Sequence, residues 1–438
     1  MTKKNVAIVG FGYIGSVIGS VLADRGHRVL GIEKDPRILN AVQNNQSPFN
    51  EPGLEELILR VRSRGLLELS NDVSRAAEAE VFVITVGTPL SDNYEPDLRQ
   101  IKAAAESIKP YVKTGSLVML KSTVPPGTTS DVVGPILQNR HIRLAFCPER
   151  LAEGRAIQEF LSIPVVVGGI DNESTAAAAE FWKESLGVDV ITVGNARSAE
   201  MVKLADNLWI DLNIALAGEL AKLADKMNID VLDVIKAANS LPKGSHNVNI
   251  LIPSVGVGGY CLTKDPWFVQ HMGRGLGLEL KIPRTSREVN DSMPAYSAAQ
   301  IDAVLSSGEG NRGQKKIAVL GIAFKNNTGD CRFTPAKPVI DELRRLGYNL
   351  AVCDPWTGDH DARLVTDLPV SADIEKTLEG ADCAAFLAGH RNFHEIEITK
   401  LAELVKPGAL IFDGRMFFDK DKIEQMRAAK LRYKGVGR

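Results

Sequence analysis

The chain has 438 residues, which at about 150 residues per domain indicates roughly three domains and excludes a single small module. Its 44% hydrophobic and 24% charged residues are the proportions of a globular protein and exclude a disordered or fibrous one. The formal net charge of −2 gives no overall basic field, so we expect neither nucleic acid nor a membrane surface as a partner.

Short apolar segments of high β propensity alternate with helix-like stretches along the first part of the chain. The predicted strands are residues 6–9, 29–32, 81–86, 117–120 and 144–146. Strands that alternate with helices predict a parallel sheet covered by helices on both faces. We therefore expect a doubly wound, Rossmann-like domain over residues 1–195.

A glycine-rich turn follows the first predicted strand and opens a helical pattern. It reads Gly10-Phe11-Gly12-Tyr13-Ile14-Gly15, and in this context the glycines allow a tight turn, the approach of a pyrophosphate and close helix packing. The second strand ends at Glu33, whose carboxylate would accept hydrogen bonds from an adenosine ribose and repel a 2′-phosphate. The pattern predicts NAD rather than NADP, although Lys34 beside it works against that selection. The alternative is a glycine turn next to a solvated glutamate.

Residues 196–239 contain no strong helix breaker except Gly218. Apolar residues recur there at helical spacing: Met201, Leu204, Leu208, Leu212, Ala215 and Leu216. A helix of about 30 residues spans about 45 Å, more than one side of a Rossmann-type domain covers, so its remaining apolar surface is expected to pack against another chain. We predict a central helical domain over 196–307 and a homodimer formed through its long helix.

The last part of the chain repeats the strand pattern of the first. Its predicted strands are residues 317–321, 350–355, 381–386 and 406–412, and a glycine-rich linker at 307–313 precedes them. We predict a second Rossmann-like domain over 313–438, whose turn at 321–325 lacks two of the three glycines and is not expected to bind another dinucleotide. The fold class is therefore α/β, with two doubly wound Rossmann-like domains joined by a central long-helix domain.

The five cysteines are scattered and form no C-x-x-C pair, which favours reduced thiols over disulfides or a zinc site. His390 and His394 have the spacing of metal ligands, but no third ligand is evident and no metal is expected. No apolar run has the length of a signal peptide or of a membrane span. We expect a soluble, cytoplasmic protein.

One cysteine, Cys261, follows a run of three nearby glycines and is itself followed by Lys264 and Asp265. Glycines would let a substrate approach the backbone, and a cation near a thiol lowers its pKa and increases the thiolate fraction. The alternative is a buried structural cysteine. Combined with NAD, an activated thiol would permit oxidation at the aldehyde level, because hydride removal from a thiohemiacetal gives a thioester that water converts to an acid.

Together with the cysteine segment, six further segments resemble the nucleotide-sugar 6-dehydrogenases, that is, the UDP-glucose/GDP-mannose dehydrogenase family, over nearly the whole chain. They are Glu51-Pro52-Gly53-Leu54, Gly87-Thr88-Pro89, Ser122-Thr123-Val124-Pro125-Pro126-Gly127-Thr128, Cys147-Pro148-Glu149-Arg150, Ala199-Glu200-Met201-Val202-Lys203-Leu204 with Asn207, and Phe324-Lys325 with Asp330 and Arg332. The resemblance implies oxidation of C6 of a nucleotide-linked hexose to a carboxylate, with two NAD per sugar and a covalent intermediate on the cysteine.

The resemblance also implies roles for individual residues. Cys261 would be the nucleophile, and Lys203 would stabilise oxyanions during both hydride transfers. Asn207 lies one helical turn after Lys203, where its amide would help to hold the oxyanion. The alternative for Lys203 and Asn207 is a solvated helix face.

Four more side chains are expected to serve the hydrolytic step. Thr123 and Glu149 would position or deprotonate the attacking water, and Glu153 would assist. Asp265 would orient Lys203 or that water. The alternatives are a turn hydroxyl for Thr123 and a surface carboxylate for Glu149.

The resemblance further implies two binding sets. The expected cofactor contacts are Gly10, Gly12, Tyr13, Ile14, Gly15, Glu33, Thr88, Thr123 and Lys264. The expected substrate contacts are Glu149, Arg150, Lys203, Asn207, Gly258, Lys325 and Arg332. Within the second set, Lys325 and Arg332 would hold the pyrophosphate or base of the nucleotide, the alternative being solvated basic side chains.

The sequence carries conflicting indications of the sugar. The segments 147–150, 211–217 and 287–295 resemble the UDP-N-acetylhexosamine branch, notably the UDP-N-acetylmannosamine dehydrogenases, whereas the Lys264-Asp265 pair resembles the UDP-glucose branch. Asn247 stands where N-acetylmannosamine enzymes tend to have an arginine that reaches the neighbouring subunit's site. We favour a UDP-N-acetylhexosamine, with UDP-glucose as the alternative, because polar pocket contacts rather than the fold select the sugar.

Two functions of other classes remain as alternatives. A two-electron hydroxy-acid dehydrogenase would need neither the thiol nor a second Rossmann-like domain. A non-catalytic NAD-binding protein would bind the cofactor without turnover, which the set Cys261, Lys203 and Asp265 argues against.

Overall fold

The computed structural model describes residues 3–137, 141–308 and 310–438. The chain divides into two compact units, one formed by Met1–Asp206 with Trp267–Leu278 and the other by Asn207–Pro266 with Glu279–Arg438. The three domain boundaries drawn from the sequence stay predictions. Of the predicted linker, Glu309 lies outside the described residues.

The first unit is built on a sheet with the strand order β3-β2-β1-β4-β5-β6-β7-β8. The strands are β1 (Asn5–Val9), β2 (Arg28–Ile32), β3 (Leu67–Ser70), β4 (Val81–Ile84), β5 (Leu117–Leu120), β6 (Arg143–Phe146), β7 (Val165–Gly169) and β8 (Val190–Thr192). The five strands predicted from the sequence are confirmed, and β3, β7 and β8 extend the sheet. The predicted strands all pair in parallel, as expected, whereas β7, which was not predicted, runs antiparallel to β6.

Helices connect and cover these strands. They are α1 (Tyr13–Asp24), α2 (Pro36–Gln43), α3 (Leu54–Ser63), α4 (Arg99–Ile108), α5 (Gly134–Leu137), α6 (Ala156–Phe160) and α7 (Asn172–Leu186), with a 3₁₀ turn at Val73–Glu78 and a π-helical turn at Thr128–Val133. Because both faces of the sheet are covered, its central strands are apolar throughout, as β4 and β5 are.

The predicted long helix is α8 (Ala196–Met227), which has 32 residues. The prediction carried the helical pattern on to residue 239, and this extension is wrong. Asn228 takes a left-handed backbone conformation with φ of 55°, which asparagine tolerates better than most residues. Asp230 then caps a separate helix, α9 (Val231–Ala238), by accepting a hydrogen bond from the backbone N–H of Leu232.

The second unit contains a sheet of order β13-β12-β11-β14-β15-β16, in which every pairing is parallel. After the hairpin β9 (Pro242–Lys243) and β10 (His246–Asn247), its strands are β11 (Lys316–Leu320), β12 (Asn349–Cys353), β13 (Val370–Ser371), β14 (Cys383–Phe386), β15 (Leu410–Asp413) and β16 (Arg432–Gly435). This order repeats that of β3 to β6 in the first unit, so the predicted second Rossmann-like sheet is confirmed.

The remaining helices complete the two units. They are α10 (Asp265–Gly275), α11 (Lys281–Ser306), α12 (Ala336–Arg345), α13 (Asp359–Val365), α14 (Ile374–Leu378), α15 (Arg391–His394), α16 (Ile398–Leu404) and α17 (Lys420–Ala428), with a 3₁₀ turn at Arg312–Gln314. Among the helices of the described residues, none combines the length and the apolar character that crossing a membrane requires.

A buried histidine joins the first strand of the first unit to its last long helix. The backbone N–H of Lys4 donates to His27 Nδ1 at 3.2 Å, and His27 Nε2 lies 3.0 Å from the hydroxyl of Ser185. Because Nδ1 accepts, the proton of the neutral ring lies on Nε2 and is donated to Ser185. Burial, with the nearby charge of Lys3, lowers the pKa of His27.

We predict that His27 makes the first unit sensitive to mild acid. Its pKa is lower in the folded than in the unfolded state, so the unfolded state binds more protons as the pH falls below about 6.5. The free energy of unfolding, measured with denaturant at pH 7.5 and 5.5, should therefore decrease on acidification by more in the wild type than in His27→Gln. His360→Gln, which changes an exposed histidine, should behave as the wild type. An equal decrease in His27→Gln would contradict the assignment.

Candidate active site

The glycine turn after β1 has the geometry of a dinucleotide site. Gly10 has φ of 91°, and a Cβ on Gly15 would lie 2.1 Å from the carbonyl oxygen of Gly10. Around a Cβ on Gly12, in contrast, no described atom lies within 4 Å. Gly10 and Gly15 are thus required by the turn itself, whereas Gly12 leaves open the side that a pyrophosphate would approach.

The carboxylate of Glu33 is fixed beside this turn. It accepts hydrogen bonds from the backbone N–H groups of Phe11 at 2.7 Å, Lys34 at 2.7 Å and Asp35 at 3.0 Å. A carboxylate held in this way at the end of β2 fits the ribose of a bound dinucleotide.

The second sheet has the same arrangement, but there the carboxylate is more deeply buried and is bonded to a side chain as well. Asp354, at the end of β12, is 2% exposed and accepts from the backbone N–H groups of Ile322 at 2.7 Å and Trp356 at 2.8 Å. Its Oδ2 also lies 3.2 Å from Nε2 of His390, whose Nδ1 accepts from the backbone of Asn327. The carboxylate is consumed by protein donors, and His390, considered above for its spacing to His394, is a core residue.

Glu51, from the Glu51-Pro52-Gly53-Leu54 segment, connects the glycine turn to the loop after β6. It is buried and accepts hydrogen bonds from the hydroxyl of Tyr13 and from the backbone N–H of Gly154. Burial, together with the Glu51 carboxylate, raises the pKa of Tyr13 well above its usual range, so the phenol stays a donor. The predicted cofactor residue Tyr13 is thereby tied to the loop that contains the predicted residues Glu149 and Glu153.

Two predicted residues of the first unit, Thr88 and Thr123, lie in contact. The hydroxyl of Thr88 donates to the backbone carbonyl of Thr123 at 2.6 Å. This bond joins the loop after β4 to the loop after β5, at the carboxyl edge where ligands bind to open α/β sheets.

A buried lysine that the sequence analysis did not single out lies beneath Glu149. Lys121 Nζ is 3.6 Å from Glu149 Oε2 and 5.1 Å from the centre of the Trp182 ring. Glu149 Oε1 accepts from the backbone N–H of Leu151 at 2.7 Å. Its neighbour Arg150 donates to the backbone carbonyl of Pro164. The signal in the sequence that could have identified Lys121 is its position directly after the apolar strand β5.

The cysteines differ sharply in their surroundings. All five belong to the described residues, and four are buried: Cys147, Cys331, Cys353 and Cys383. Burial raises the pKa of the Cys147 thiol to about 11 and those of Cys331 and Cys353 to about 12, which keeps these thiols protonated. Cys261 is exposed, so it is the thiol that a substrate can reach.

In the second unit, the turn after Cys261 is held by a buried carboxylate. The carbonyl oxygen of Cys261 accepts from the backbone N–H of Asp265 at 2.9 Å. The fully buried side chain of Asp265 accepts from the ammonium of Lys264 and from the amide of Asn207. Asp265 thus lies against Asn207 and Lys264, whereas the sequence analysis expected it to orient Lys203 or a water.

Buried polar side chains recur along α8 at spacings of three, four and four residues. They are Glu200, Lys203, Asn207 and Asp211. In the first unit, Glu200 accepts from the backbone N–H groups of Gly127 and Thr129, and Lys203 is 9% exposed. The predicted residues Lys203 and Asn207 are therefore buried, and the alternative of a solvated helix face is wrong for them.

The glycines before Cys261 have packing partners that the sequence analysis did not foresee. A Cβ on Gly258 would lie 2.5 Å from Cβ of Phe324, and one on Gly259 would lie 2.6 Å from the Phe324 ring. The backbone N–H of Gly259 also donates to the carbonyl of Arg332 at 3.0 Å. The Cys261 segment is therefore packed directly on the loop that contains the predicted nucleotide contacts Lys325 and Arg332.

That loop is itself well bonded. The guanidinium of Arg332 pairs with Asp330 through two nitrogens, and the hydroxyl of Thr328 donates to the carbonyl of Lys325 at 3.1 Å. Arg415, a half-buried residue that the sequence analysis missed, donates to the carbonyl of Phe324 at 3.1 Å. The signal in the sequence that could have identified Arg415 is its position just after the carboxyl end of the apolar strand β15.

Three family models match the chain in order. They describe the UDP-glucose/GDP-mannose dehydrogenase family: its NAD binding domain over residues 4–186, its central domain over 197–292 and its UDP binding domain over 318–420. The chain belongs to this family. It is accordingly an NAD-dependent nucleotide-sugar dehydrogenase with a domain for NAD and a domain for UDP, as the resemblance implied.

Individual relatives cover almost the whole chain. A UDP-N-acetyl-D-mannosamine dehydrogenase from Methanocaldococcus jannaschii is 33% identical over 96% of this chain and 94% of its own. A solved structure of a UDP-D-ManNAc dehydrogenase from Pyrococcus horikoshii superposes with a TM-score of 0.88 at 28% identity, covering 99% of both chains. The solved structure of a UDP-glucose dehydrogenase from Pyrobaculum islandicum also superposes with a TM-score of 0.88 at 28% identity, covering 100% of this chain and 98% of its own.

The two glycines with opposite surroundings give a matched pair of variants. We predict that Gly12→Ala folds like the wild type but binds NAD at least about tenfold more weakly, because its new methyl group would meet no atom of the described residues and would lie on the side expected for the pyrophosphate. Gly15→Ala should instead lower the melting temperature, because its methyl group collides with the backbone. Calorimetric NAD titration and thermal unfolding separate the two effects. Unchanged NAD affinity in Gly12→Ala would refute this placement of the pyrophosphate.

Proposed function

We propose that this chain oxidises C6 of a UDP-N-acetylhexosamine to the uronate in two NAD-linked steps through Cys261. The observation that carries the proposal is the exposure of Cys261 alone among the five thiols. Its turn is held by Asp265, Asn207 and Lys264 and packs on the loop with Lys325 and Arg332. A reactive thiol beside a nucleotide-binding loop suits a covalent intermediate on a nucleotide-linked substrate.

The proposed chemistry balances over four electrons. The C6 alcohol first loses a hydride and a proton to become an aldehyde, and the thiol of Cys261 adds to this aldehyde as a thiohemiacetal. Loss of a second hydride and proton gives a thioester, and addition of water releases the carboxylate and restores the thiol. NAD, when bound, accepts the hydride in each oxidation.

The other predicted residues would serve these steps. Lys203 and Asn207 would stabilise the oxyanions, with Asn207 held in place by Asp265. Glu149, with Thr123 and Glu153 in support, would position the hydrolytic water. Glu149 suits this role because its Oε2 is a buried acceptor without a hydrogen-bond partner in the described part of the chain.

The binding roles are proposed from the same arrangement. The glycine turn at 10–15 and Glu33, with Thr88 and Thr123, would hold NAD, and Lys264 would contribute next to its partner Asp265. For the substrate, Lys325 and Arg332 would bind the nucleotide, while Arg150, Gly258 and the catalytic residues would line the sugar.

The preference for an N-acetylhexosamine rests on relatives and on sequence segments rather than on the fold. Relatives of known name at 31–34% identity are UDP-N-acetyl-D-mannosamine dehydrogenases, and Arg150 belongs to the segment that resembles their branch. UDP-glucose remains the second candidate because the structure of a UDP-glucose dehydrogenase superposes equally well. Asn247 lies exposed in the hairpin β9–β10, without the basic charge that was noted for the N-acetylmannosamine enzymes.

We predict two NADH per sugar consumed with the true substrate. The test measures NADH and residual sugar with UDP-N-acetylmannosamine, UDP-N-acetylglucosamine, UDP-glucose and GDP-mannose. Cys261→Ser should lose this turnover, because its hydroxyl is a much weaker nucleophile than a thiolate. Cys383→Ala, which removes a fully buried thiol from β14, is the control and should keep the ratio of two.

Each of the other outcomes would indicate a different function or substrate. One NADH per sugar, unaffected by Cys261→Ser, would replace the thioester route by a two-electron dehydrogenase. NAD binding without turnover of any of the four sugars would favour a non-catalytic role. Two NADH with UDP-glucose alone would keep the mechanism and correct the sugar.

We also propose a homodimer formed through α8. Within the second unit, one face of this helix exposes large apolar side chains: Trp209, Leu212, Leu216, Leu223 and Met227. Their spacings of three, four, seven and four residues form a continuous apolar stripe, and such a stripe on a water-soluble enzyme marks an interface.

The predicted cytoplasmic location stays a prediction.

We predict that Leu216→Glu converts a dimer to a monomer. A carboxylate in the centre of the stripe would have to be buried without a partner, which costs several kcal/mol. Light scattering after size-exclusion chromatography should give the mass of two chains for the wild type and the mass of one chain for the variant. Leu364→Glu places the same change at an exposed leucine of α13 and should stay dimeric. A monomeric wild type would overturn the proposal.

A further inference from the structure

The second unit buries an arginine that the proposed chemistry does not use. Arg287 of α11 is 1% exposed, and a charged side chain is rarely buried to this extent unless it is paired. In the sequence, the segment 287–295 around it resembles the UDP-N-acetylhexosamine branch. Its contacts indicate a more specific role.

The guanidinium of Arg287 connects two helices to the cysteine turn. Its Nη1 donates to Asp211 Oδ1 at 2.6 Å and to the backbone carbonyl of Leu262 at 3.3 Å, and its Nη2 donates to Asp291. Asn290 Nδ2 donates to the same Asp211 Oδ1 at 2.8 Å and to the Asp211 carbonyl at 2.9 Å. Leu262, the only partner among these that lies in the turn, directly follows Cys261.

Helix α8 thereby holds the turn at two points. Asn207 binds Asp265 at the end of the turn. Asp211, one helical turn further along α8, binds Arg287, which also donates to the carbonyl of Leu262 at the beginning of the turn. Residues four apart on a helix lie on the same face, so both supports come from one rigid element. The peptide bond that joins Cys261 to Leu262 directly precedes the first of these two points along the chain.

We propose that Arg287 is a positioning residue for Cys261. Its guanidinium bridges the Leu262 carbonyl and the carboxylate of Asp211, and this bridge fixes the direction of the thiol. This inference rests on the proposed function, in which Cys261 is the nucleophile. Reaction rates depend steeply on such positioning, because a displacement of about 1 Å can cost about 100-fold.

The chemistry of the site explains why arginine is needed there. The planar guanidinium reaches Asp211, Leu262 and Asp291 with two nitrogens in a fixed fork, whereas a lysine ammonium is a point charge on a flexible stem. Lysine would keep the buried charge of Asp211 balanced and would lose the simultaneous bond to Leu262. Arg287→Lys therefore separates positioning from charge.

The test compares Arg287→Lys with the wild type in the full-length protein. The first readout is the rate at which iodoacetamide alkylates Cys261 between pH 6 and 9, followed by intact mass, since the other four thiols are buried. The second is kcat and KM for the sugar. We expect a changed alkylation rate or pH profile and a kcat reduced about tenfold or more, with KM changed less and NAD affinity unchanged.

The matched control is Arg284→Lys on the same helix. Arg284 is an exposed arginine paired with Glu288 at 2.6 Å, so its replacement should leave the alkylation profile, kcat and NAD affinity as they are. A folded Arg287→Lys protein with the alkylation profile and kcat of the wild type would overturn the proposal and leave Arg287 a purely structural residue.

A second variant keeps the proposal testable if Arg287→Lys does not fold. The double variant Asp211→Asn with Arg287→Met removes both buried charges together, which proteins tolerate far better than removal of one, and it still deprives the Leu262 carbonyl of its donor. Wild-type alkylation in this variant would equally overturn the proposal.

Alkylation requires no sugar, so the readout also separates the two hypotheses. If Cys261→Ser kept a ratio of two NADH per sugar, the proposed function would fail, while the alkylation profiles would still report whether Arg287 holds the thiol.

Discussion

The cost of burying polar groups on α8 organises much of this structure. Burying a carboxylate or an amide is costly unless hydrogen bonds compensate for the loss of water, so each such residue on the helix needs a partner. Glu200 finds it in the backbone of the Gly127–Thr129 turn, Asn207 in Asp265 and Asp211 in Arg287. Every partner lies in or next to a loop with predicted functional residues. Many sequences can form a long helix with an apolar face, but these polar contacts fix, within each unit, which loop lies against the helix.

The two Rossmann-like sheets show how one arrangement serves two purposes. In each, an acidic residue at the end of the second strand accepts hydrogen bonds from the turn after the first strand, Glu33 in one and Asp354 in the other. Within the described residues, the Glu33 carboxylate accepts from the backbone N–H groups of Phe11, Lys34 and Asp35. Asp354 is enclosed further, by His390. The same strand order thus supports a dinucleotide site in one sheet and a purely structural anchor in the other, which frees the second sheet to bind UDP through different loops.

Sequence patterns predicted the strands that alternate clearly with helices, and they missed features that strand direction or local backbone conformation decides. An apolar run such as β7 reads the same in either direction, so its antiparallel pairing with β6 is invisible in sequence. The end of α8 depends on Asn228 taking a left-handed conformation, a choice that a single asparagine in a helical pattern does not reveal.

The site shows the same division between what spacing contains and what packing adds. The relation of Lys203 to Asn207 is helical spacing, and both prove buried. In contrast, Lys121 reaches Glu149 because they follow the neighbouring strands β5 and β6, and Arg415, after β15, reaches the loop after β11 past the intervening strand β14. The order of strands in a sheet cannot be read from local sequence. The glycines before Cys261 show why a motif can be located correctly and explained incompletely: their small size serves the packing of Phe324, which lies more than 60 residues further along the chain.

The choice of sugar is the property that the fold is least able to decide. Dehydrogenases for UDP-N-acetylmannosamine and for UDP-glucose superpose on this chain with the same TM-score, so likeness of the backbone does not distinguish the two sugars. An acetamido group adds an amide that must be hydrogen-bonded when buried, and a site built to bond it rejects an analogue without it far more strongly than an apolar pocket would. Selectivity therefore has to reside in a few polar side chains. Arg150, whose guanidinium is bonded to the backbone of Pro164, is held in one orientation by that bond, so any contact that it makes with a sugar is preorganised rather than adaptable.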